Sequence, residues 1–191
     1  NRYAGRVIEE TLLDAMDKMA KACDHVQSQF LGVRTGRANA SLVERIPVEY
    51  YGATVPLQQL ATFQVPEARM LIIKPHDRGS IAAIEKGIQS SDLGVSPGND
   101  GVVIRLSFPM LTEERRKEYV KVVKNMAEDG RIALRNVRRD ARKVLETSEK
   151  DGDISKDDLD RAEKELDKLT QEHVEQIEKA FARKEQELLE V

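Results

Sequence analysis

The chain has 191 residues, 31 Lys and Arg against 34 Asp and Glu, and a formal net charge of −3. Charged residues make up 34% and aromatics 4%, which favours helices packed on aliphatic side chains in one or two domains. A single cysteine, Cys23, excludes an internal disulfide, and the sequence shows no apolar run of membrane-span length and no signal-peptide core, so a cytoplasmic protein is expected.

The charge is unevenly spread. Residues 1–35 carry 5 bases and 5 acids, and residues 36–107 carry 7 of each. Residues 108–150 carry 12 bases against 8 acids, and residues 151–191 carry 7 against 14. A basic segment at +4 therefore precedes an acidic one at −7.

The first helix is predicted from Tyr3 to Thr35. Leu12, Met16, Met19, Cys23, Val26, Phe30 and Val33 step by alternating four and three residues, the seam of a helix packed at a shallow angle. Cys23 lies in that seam and reads as a buried structural thiol; with His25 it makes only a weak metal signal. Gly36 suits a C-terminal cap, flanked by Arg34 and Arg37.

From Gly36 to Ser107 the period changes. Ile46 to Tyr51, then Gly52, then Ala53 to Leu57 predicts a hairpin. Leu60 to Val65 and Arg69 to Lys74 predict a second strand pair, and the unbroken Met70-Leu-Ile-Ile73 run predicts a strand buried on both faces. Ser80 is placed to cap a short helix over 81–89. Gly94 to Gly101 reads as a loop, and Val102 to Ser107 as a closing strand.

This α+β unit, residues 36–107, is thus inserted into a helical domain made of residues 1–35 and 108–191. The chain crosses between them twice, at Arg34-Thr35-Gly36-Arg37 and from Phe108 and Pro109 to Thr112. Two short crossings between separately patterned cores make a hinge.

Thr112 is placed to cap a long basic helix ending near Ser148. Wound at about 100° per residue, Lys117, Lys121, Lys124, Arg131, Arg135, Arg138, Arg139 and Arg142 share an arc of roughly 100°. Tyr119, Val122, Val123, Met126, Leu134, Val137, Ala141 and Val144 fall on a separate, largely opposing face. Gly130 reads as a weak point, costing about 1 kcal/mol relative to Ala. Ser155 and Asp158 resemble a capping box opening the last helix, whose stripe includes Leu166, His173, Ile177 and Leu188. Three long helices imply a bundle.

No G-x-S-x-G, phosphate-cradling loop or G-x-G-x-x-G occurs, and His25, His76 and His173 lie in three separate segments. The reading is of a non-enzyme with no cofactor and no metal. Tyr119 is the only aromatic on the basic helix, which argues against a base-stacking platform and for contacts to phosphates and folded RNA rather than DNA. The rivals are a helical adaptor that would dimerise through the heptad seam and a hydrolase using surface carboxylates. The inserted domain speaks against the first, and the missing pocket motif against the second.

Six islands carry a resemblance: Val33-Arg-Thr-Gly-Arg-Ala38, Glu49-Tyr-Tyr-Gly52, Ser91-Asp-Leu-Gly94, Leu111-Thr-Glu-Glu-Arg-Arg-Lys117, Arg135-Asn-Val-Arg-Arg-Asp140 and Lys184-Glu-x-Glu-Leu188. In this order they resemble the bacterial ribosome recycling factor family over essentially the whole chain, departing from it over Asn1 to Ile8. The resemblance implies an L-shaped, tRNA-sized monomer with a three-helix bundle hinged to a β/α/β domain. It implies binding to the 70S ribosome after termination and subunit splitting with elongation factor G and GTP, the GTPase belonging to that factor. It places Arg138, with Arg135 in the same patch, against large-subunit ribosomal RNA, and the bundle tip at Asp151–Ser155 deep in the large subunit.

Overall fold

The computed structural model describes residues 2–190. They form two compact units. One takes the chain up to Phe30 and again from Val120 onward; the other is Leu31–Tyr119.

The first unit is built on α1 (Arg2–Leu31), α3 (Glu113–Lys150), whose residues up to Tyr119 belong to the second unit, and α4 (Lys156–Leu189). In α1 the seam runs through Met19, Cys23, Val26 and Phe30, as their spacing predicts. Toward its start the seam passes through Ala15 and Ala4, while Met16 is 41% exposed and Leu12 half-buried. Alanine lets the facing helix come close where methionine would hold it off. The helix also ends at Leu31, four residues short of the expected Thr35. Gly36, at φ +81°, serves the loop beyond, where a Cβ would stand 3.3 Å from Leu111 Cγ.

On α3 the buried line is Val123, Ala127, Gly130, Leu134, Ala141 and Leu145. Val122 and Val144, expected on the apolar face, are exposed, and Val137 is half-buried. The reason is Gly130. Its bare Cα meets α1 and α4 so closely that an added Cβ would lie 2.4 Å from Val26 Cγ2 and 3.0 Å from Ile177 Cδ1. The glycine expected to weaken the helix is the point of closest approach, and it turns α3 so that the seam follows glycine and alanine as much as valine.

Polar groups in the seam find partners within it, on their own helix or the next. Thr170 Oγ1 donates to Leu166 O at 2.8 Å, and His173 Nδ1 lies 2.7 Å from Leu169 O. The Cys23 thiol donates to His173 O at 3.5 Å. At the turn between α3 and α4, Gly152 takes φ +77° and Ile154 is buried. Ser155 and Asp158 close the expected capping box: Asp158 N–H donates to Ser155 Oγ at 3.0 Å, and Ser155 N–H to Asp158 Oδ2 at 3.2 Å.

In the second unit, β1 (Pro47–Tyr50) and β2 (Ala53–Pro56) form a hairpin. A four-stranded antiparallel sheet has the order β3-β4-β6-β5, from β3 (Ala61–Glu67), β4 (Met70–Pro75), β5 (Gly98–Asn99) and β6 (Ile104–Ser107). The loop expected over 94–101 therefore contains a short edge strand. On β4, Leu71 and Ile73 are fully buried while Met70 and Ile72 are only half-buried. The strand is covered on one face, not two; its apolar run reflects its central place in the sheet. Helix α2 (Ile81–Gln89) supplies Ile81, Ile84 and Ile88 to the core that this inner face shares with Val48, Leu57 and Leu106. Ser80 does not cap it through its side chain. Its hydroxyl donates to Asp77 O at 2.6 Å, and Asp77 caps the preceding turn by accepting from Gly79 N–H at 2.9 Å.

Gly130→Ala gains about 1 kcal/mol of helix propensity but drives a methyl into stiff Val26, so a net loss of about 1–3 kcal/mol is expected in chemical denaturation. A stabilised variant would mean that the helices part freely there. Leu134→Ala, at a fully buried site, costs about 2–5 kcal/mol in the same assay.

Burial, with a smaller push from the Asp24 charge, raises the Cys23 thiol to about 11. The folded state thus holds its proton where the unfolded thiol has lost it. This contribution to stability is complete below the ordinary thiol pKa and is lost as pH rises through about 11. Native protein at pH 8 should resist thiol alkylation, and reaction should follow unfolding. Rapid alkylation without unfolding would place Cys23 outside the seam.

Candidate nucleic-acid interface

Helix α3 is opened by Thr112, whose Oγ1 accepts from Arg115 N–H at 3.1 Å, with Glu113 and Glu114 in the first turn. Because the seam is centred on Gly130 and Leu134, the basic arc flanks it rather than opposing it. The eight bases consequently differ in what surrounds them.

Arg131 and Arg138 lie on the edge of the seam nearest α4. Arg131 has a side chain only 20% exposed and reaches Glu128 at 2.9 Å on its own helix and Glu178 at 2.7 Å on α4. Burial works against its charged form, but the hydrogen bonds and charges of Glu128 and Glu178 outweigh that and hold its pKa above the ordinary guanidinium value. Arg138 sits 3.6 Å from Asp167 of α4. Arg142 meets Glu146 at 3.1 Å and Glu163 of α4 at 3.3 Å, and those two charges raise its pKa as well.

The other bases are more open. Arg135, with a side chain 61% exposed, has only a loose pair with Glu128 at 3.7 Å. Lys117 pairs with Glu113 at 3.4 Å. Lys121, Lys124 and Arg139 are exposed and have no ion pair among the described residues. Exposed pairs of this kind are worth about 0–1 kcal/mol and exchange readily for a phosphate.

The acids of α4 beside this face were not foreseen. Glu163, Asp167 and Glu178 each follow a seam residue, namely Ala162, Leu166 and Ile177. That offset is the signal by which they could have been found, since a residue one place past a seam position lies on the seam's edge.

The expected hinge residues all fall within the second unit. Arg34 Nη1 donates to Leu93 O at 3.2 Å, and the guanidinium lies 5.8 Å from the ring centre of buried Phe108. Phe108 N–H donates to Arg69 O at 2.7 Å. Thr35 Oγ1 accepts from Arg37 N–H at 3.3 Å. Pro109 and Met110 are exposed and lie in no helix or strand, just before the Thr112 cap.

A groove of about 270 Å³ between α1 and α3 has Ala15, Ala141 and Val144 in its lining and Asp14, Lys18 and Asp140 beside them. Carboxylates and a lysine around aliphatic side chains give no nucleophile–base pair. Among the described residues no cluster of His, Cys, Asp and Glu could hold a metal, and no helix is long and apolar enough to cross a membrane.

Comparison with known proteins agrees along nearly the whole chain. The ribosome recycling factor family model matches residues 26–189. The ribosome-recycling factor of Thermobifida fusca is 55% identical over 185 residues, covering 97% of this chain and all of that one. That of Kineococcus radiotolerans is 52% identical over the same coverage. A solution structure of the ribosome recycling factor superposes with a TM-score of 0.80 at 40% identity, covering 96% of this chain and 98% of that chain. A second match comes from models of the T. thermophilus ribosome recycling factor and the E. coli elongation factor G bound to the E. coli post-termination complex. It has a TM-score of 0.69 at 41% identity and covers 96% of this chain and 99% of that one. With a family model spanning most of its length, and relatives above half identity end to end, this chain belongs to the ribosome recycling factor family.

Proposed function

We propose that this chain binds the post-termination 70S ribosome and, with elongation factor G and GTP, splits it into subunits, acting as a mechanical wedge and not as a catalyst. The reading is supported by family membership and by a relative placed with elongation factor G on a post-termination complex. The observation that carries it in this chain is the face of α3, where Lys121, Lys124, Arg135 and Arg139 stand open to solvent within one arc.

Large-subunit ribosomal RNA is met there mainly through phosphates. Arginine grips a phosphate with two hydrogen bonds, where lysine offers a point charge. Arg138 and Arg142 join by exchanging Asp167 and Glu163 for phosphate, whereas Arg131 stays with its two carboxylates and braces α3 against α4. The protein acts as a monomer. The chain bends just past the end of α1, before Arg34, and over 109–112, which lies in no helix or strand; both places fall inside the second unit near its borders. Arg34 is anchored to Leu93 and so moves with the second unit.

A ribosome-binding titration at several salt concentrations tests the interface. Affinity should fall steeply with salt, as several counterions are released. Arg135→Ala and Arg138→Ala should each cost about 1–3 kcal/mol of binding, while Glu185→Lys on α4 costs little. Affinity flat in salt, or equal losses from Arg135→Ala and Glu185→Lys, would make the face a solvated surface only. Melting curves separate the roles of the arginines. Arg138→Ala should leave the transition nearly unmoved, since its one pair is exposed. Arg131→Ala should lower stability by about 1 kcal/mol. The reverse order would mean that α3 is rotated from the orientation described.

A further inference from the structure

We infer that Tyr51, at the tip of the β1–β2 hairpin, is the side chain by which the second unit docks on a protein partner, entering an aliphatic pocket with a basic rim. The inference rests on the ribosome-bound function proposed above and adds a contact that the basic helix does not make.

The first ground is backbone conformation. Tyr50 pairs with Ala53, so Tyr51 and Gly52 alone form the turn. Both have positive φ, +49° and +80°, the pattern of the tight turn that suits the twist of paired strands. Asn-Gly is the sequence that turn prefers. Tyr51 is the only non-glycine residue with positive φ among the described residues, and a large aromatic there is unfavourable.

The second ground is what the ring does inside the fold, which is very little. Tyr51 is 83% exposed. Its one ring contact is edge-on with Tyr50, centroids 4.5 Å apart and planes at 73°. Tyr50 is itself held, because its hydroxyl donates to Asp77 Oδ2 at 3.1 Å, and Asp77 is fixed by the Gly79 N–H. The fold therefore keeps an aromatic in an unfavourable backbone conformation, rests it on a clamped neighbour, and leaves most of its surface in water. A ring so placed gains its stabilisation from a surface outside this chain, and little freedom remains to be lost when it docks.

Charge decides the kind of surface. Residues 47–56 contain no Lys or Arg and one acid, Glu49, whose Oε1 accepts from the Thr54 hydroxyl at 2.7 Å. Asp77 adds a second carboxylate beside Tyr50, and exposed Arg78 follows it in the chain, so the surroundings of the hairpin keep an excess of acid. A nucleic-acid backbone would meet these carboxylates unfavourably, whereas a protein pocket with Lys or Arg at its mouth complements them. Exposed Ala53, beside the turn, extends the apolar contact. Tyrosine is among the residues that most often dominate protein interfaces.

The test uses the full chain with Tyr51→Asn and Tyr51→Phe, read by melting temperature and by splitting of post-termination ribosomes with elongation factor G and GTP. Tyr51→Asn should melt at the same or a higher temperature, since asparagine suits the turn. It should need on the order of tenfold more protein for half-maximal splitting. Tyr51→Phe should stay within about twofold of wild type, as the ring carries the contact. A photoreactive p-azidophenylalanine introduced in place of Tyr51 should attach to a protein of that complex. Attachment to ribosomal RNA overturns the inference, as does full activity of Tyr51→Asn. A marked loss of melting temperature in Tyr51→Asn also overturns it, since the ring would then be structural. An inactive wild type is a different outcome: it removes the proposed function itself, and this inference with it.

Discussion

The close approach at Gly130 is the constraint on which the first unit depends. One missing Cβ lets α3 lie against Val26 of α1 and Ile177 of α4 together. A helix held at that spot has only one rotation that also buries Leu134, Ala127 and Leu145. That rotation decides which lysines and arginines stand at the edge of the seam and which stand clear of it. The surface chemistry is thus a consequence of a packing choice made in the core.

That link explains the division among the arginines. Those brought to the α4 edge have carboxylates waiting, and the pairs run antiparallel, Arg131 with Glu178, Arg138 with Asp167 and Arg142 with Glu163. Arg131, half-buried, is a brace, because its guanidinium is the least exposed of the arc's charges and is held by two half-exposed carboxylates, one on its own helix and one on α4. Arg135 and Arg139, one step around the helix, have little or nothing to release before meeting a phosphate. One arc of bases therefore contains both structural and open members.

Much of this was legible in the sequence. The heptad spacing from Met19 to Phe30, the Thr112 cap, the capping box at Ser155 and Asp158, and the change of period after Gly36 each came from local rules that the fold obeys. What was misread came from contacts between distant segments. Val144 and Val122 look like core residues by type, and Gly130 looks like a flaw. Only the proximity of Val26 and Ile177 reverses those judgements. The apolar run at Met70 to Ile73 was misjudged for a related reason: composition does not say that one face of a sheet is left uncovered. The basic arc was visible, but the carboxylates that divide it belong to another helix. The tyrosine at the hairpin tip was visible as a residue, though its positive φ was not.

The acidity of α4 need not oppose RNA binding as its net charge suggests. Of its carboxylates, Glu163, Asp167 and Glu178 face α3 and are already compensated by arginine. Others, such as Glu175, lie on exposed positions away from that edge, where ions screen them over about 8–10 Å at physiological salt, whereas half-buried Glu185 follows Lys184 and shares the edge. What a phosphate meets on approaching α3 is set by charges within that distance. Arg135, Arg139, Lys121 and Lys124 dominate there, with Glu128 the one acid inside the arc between Lys117 and Arg142, shared between Arg131 and Arg135. The chain can therefore carry a net negative charge and still present an open basic face, because the pairing of α3 with α4 keeps the nearest opposing charges occupied.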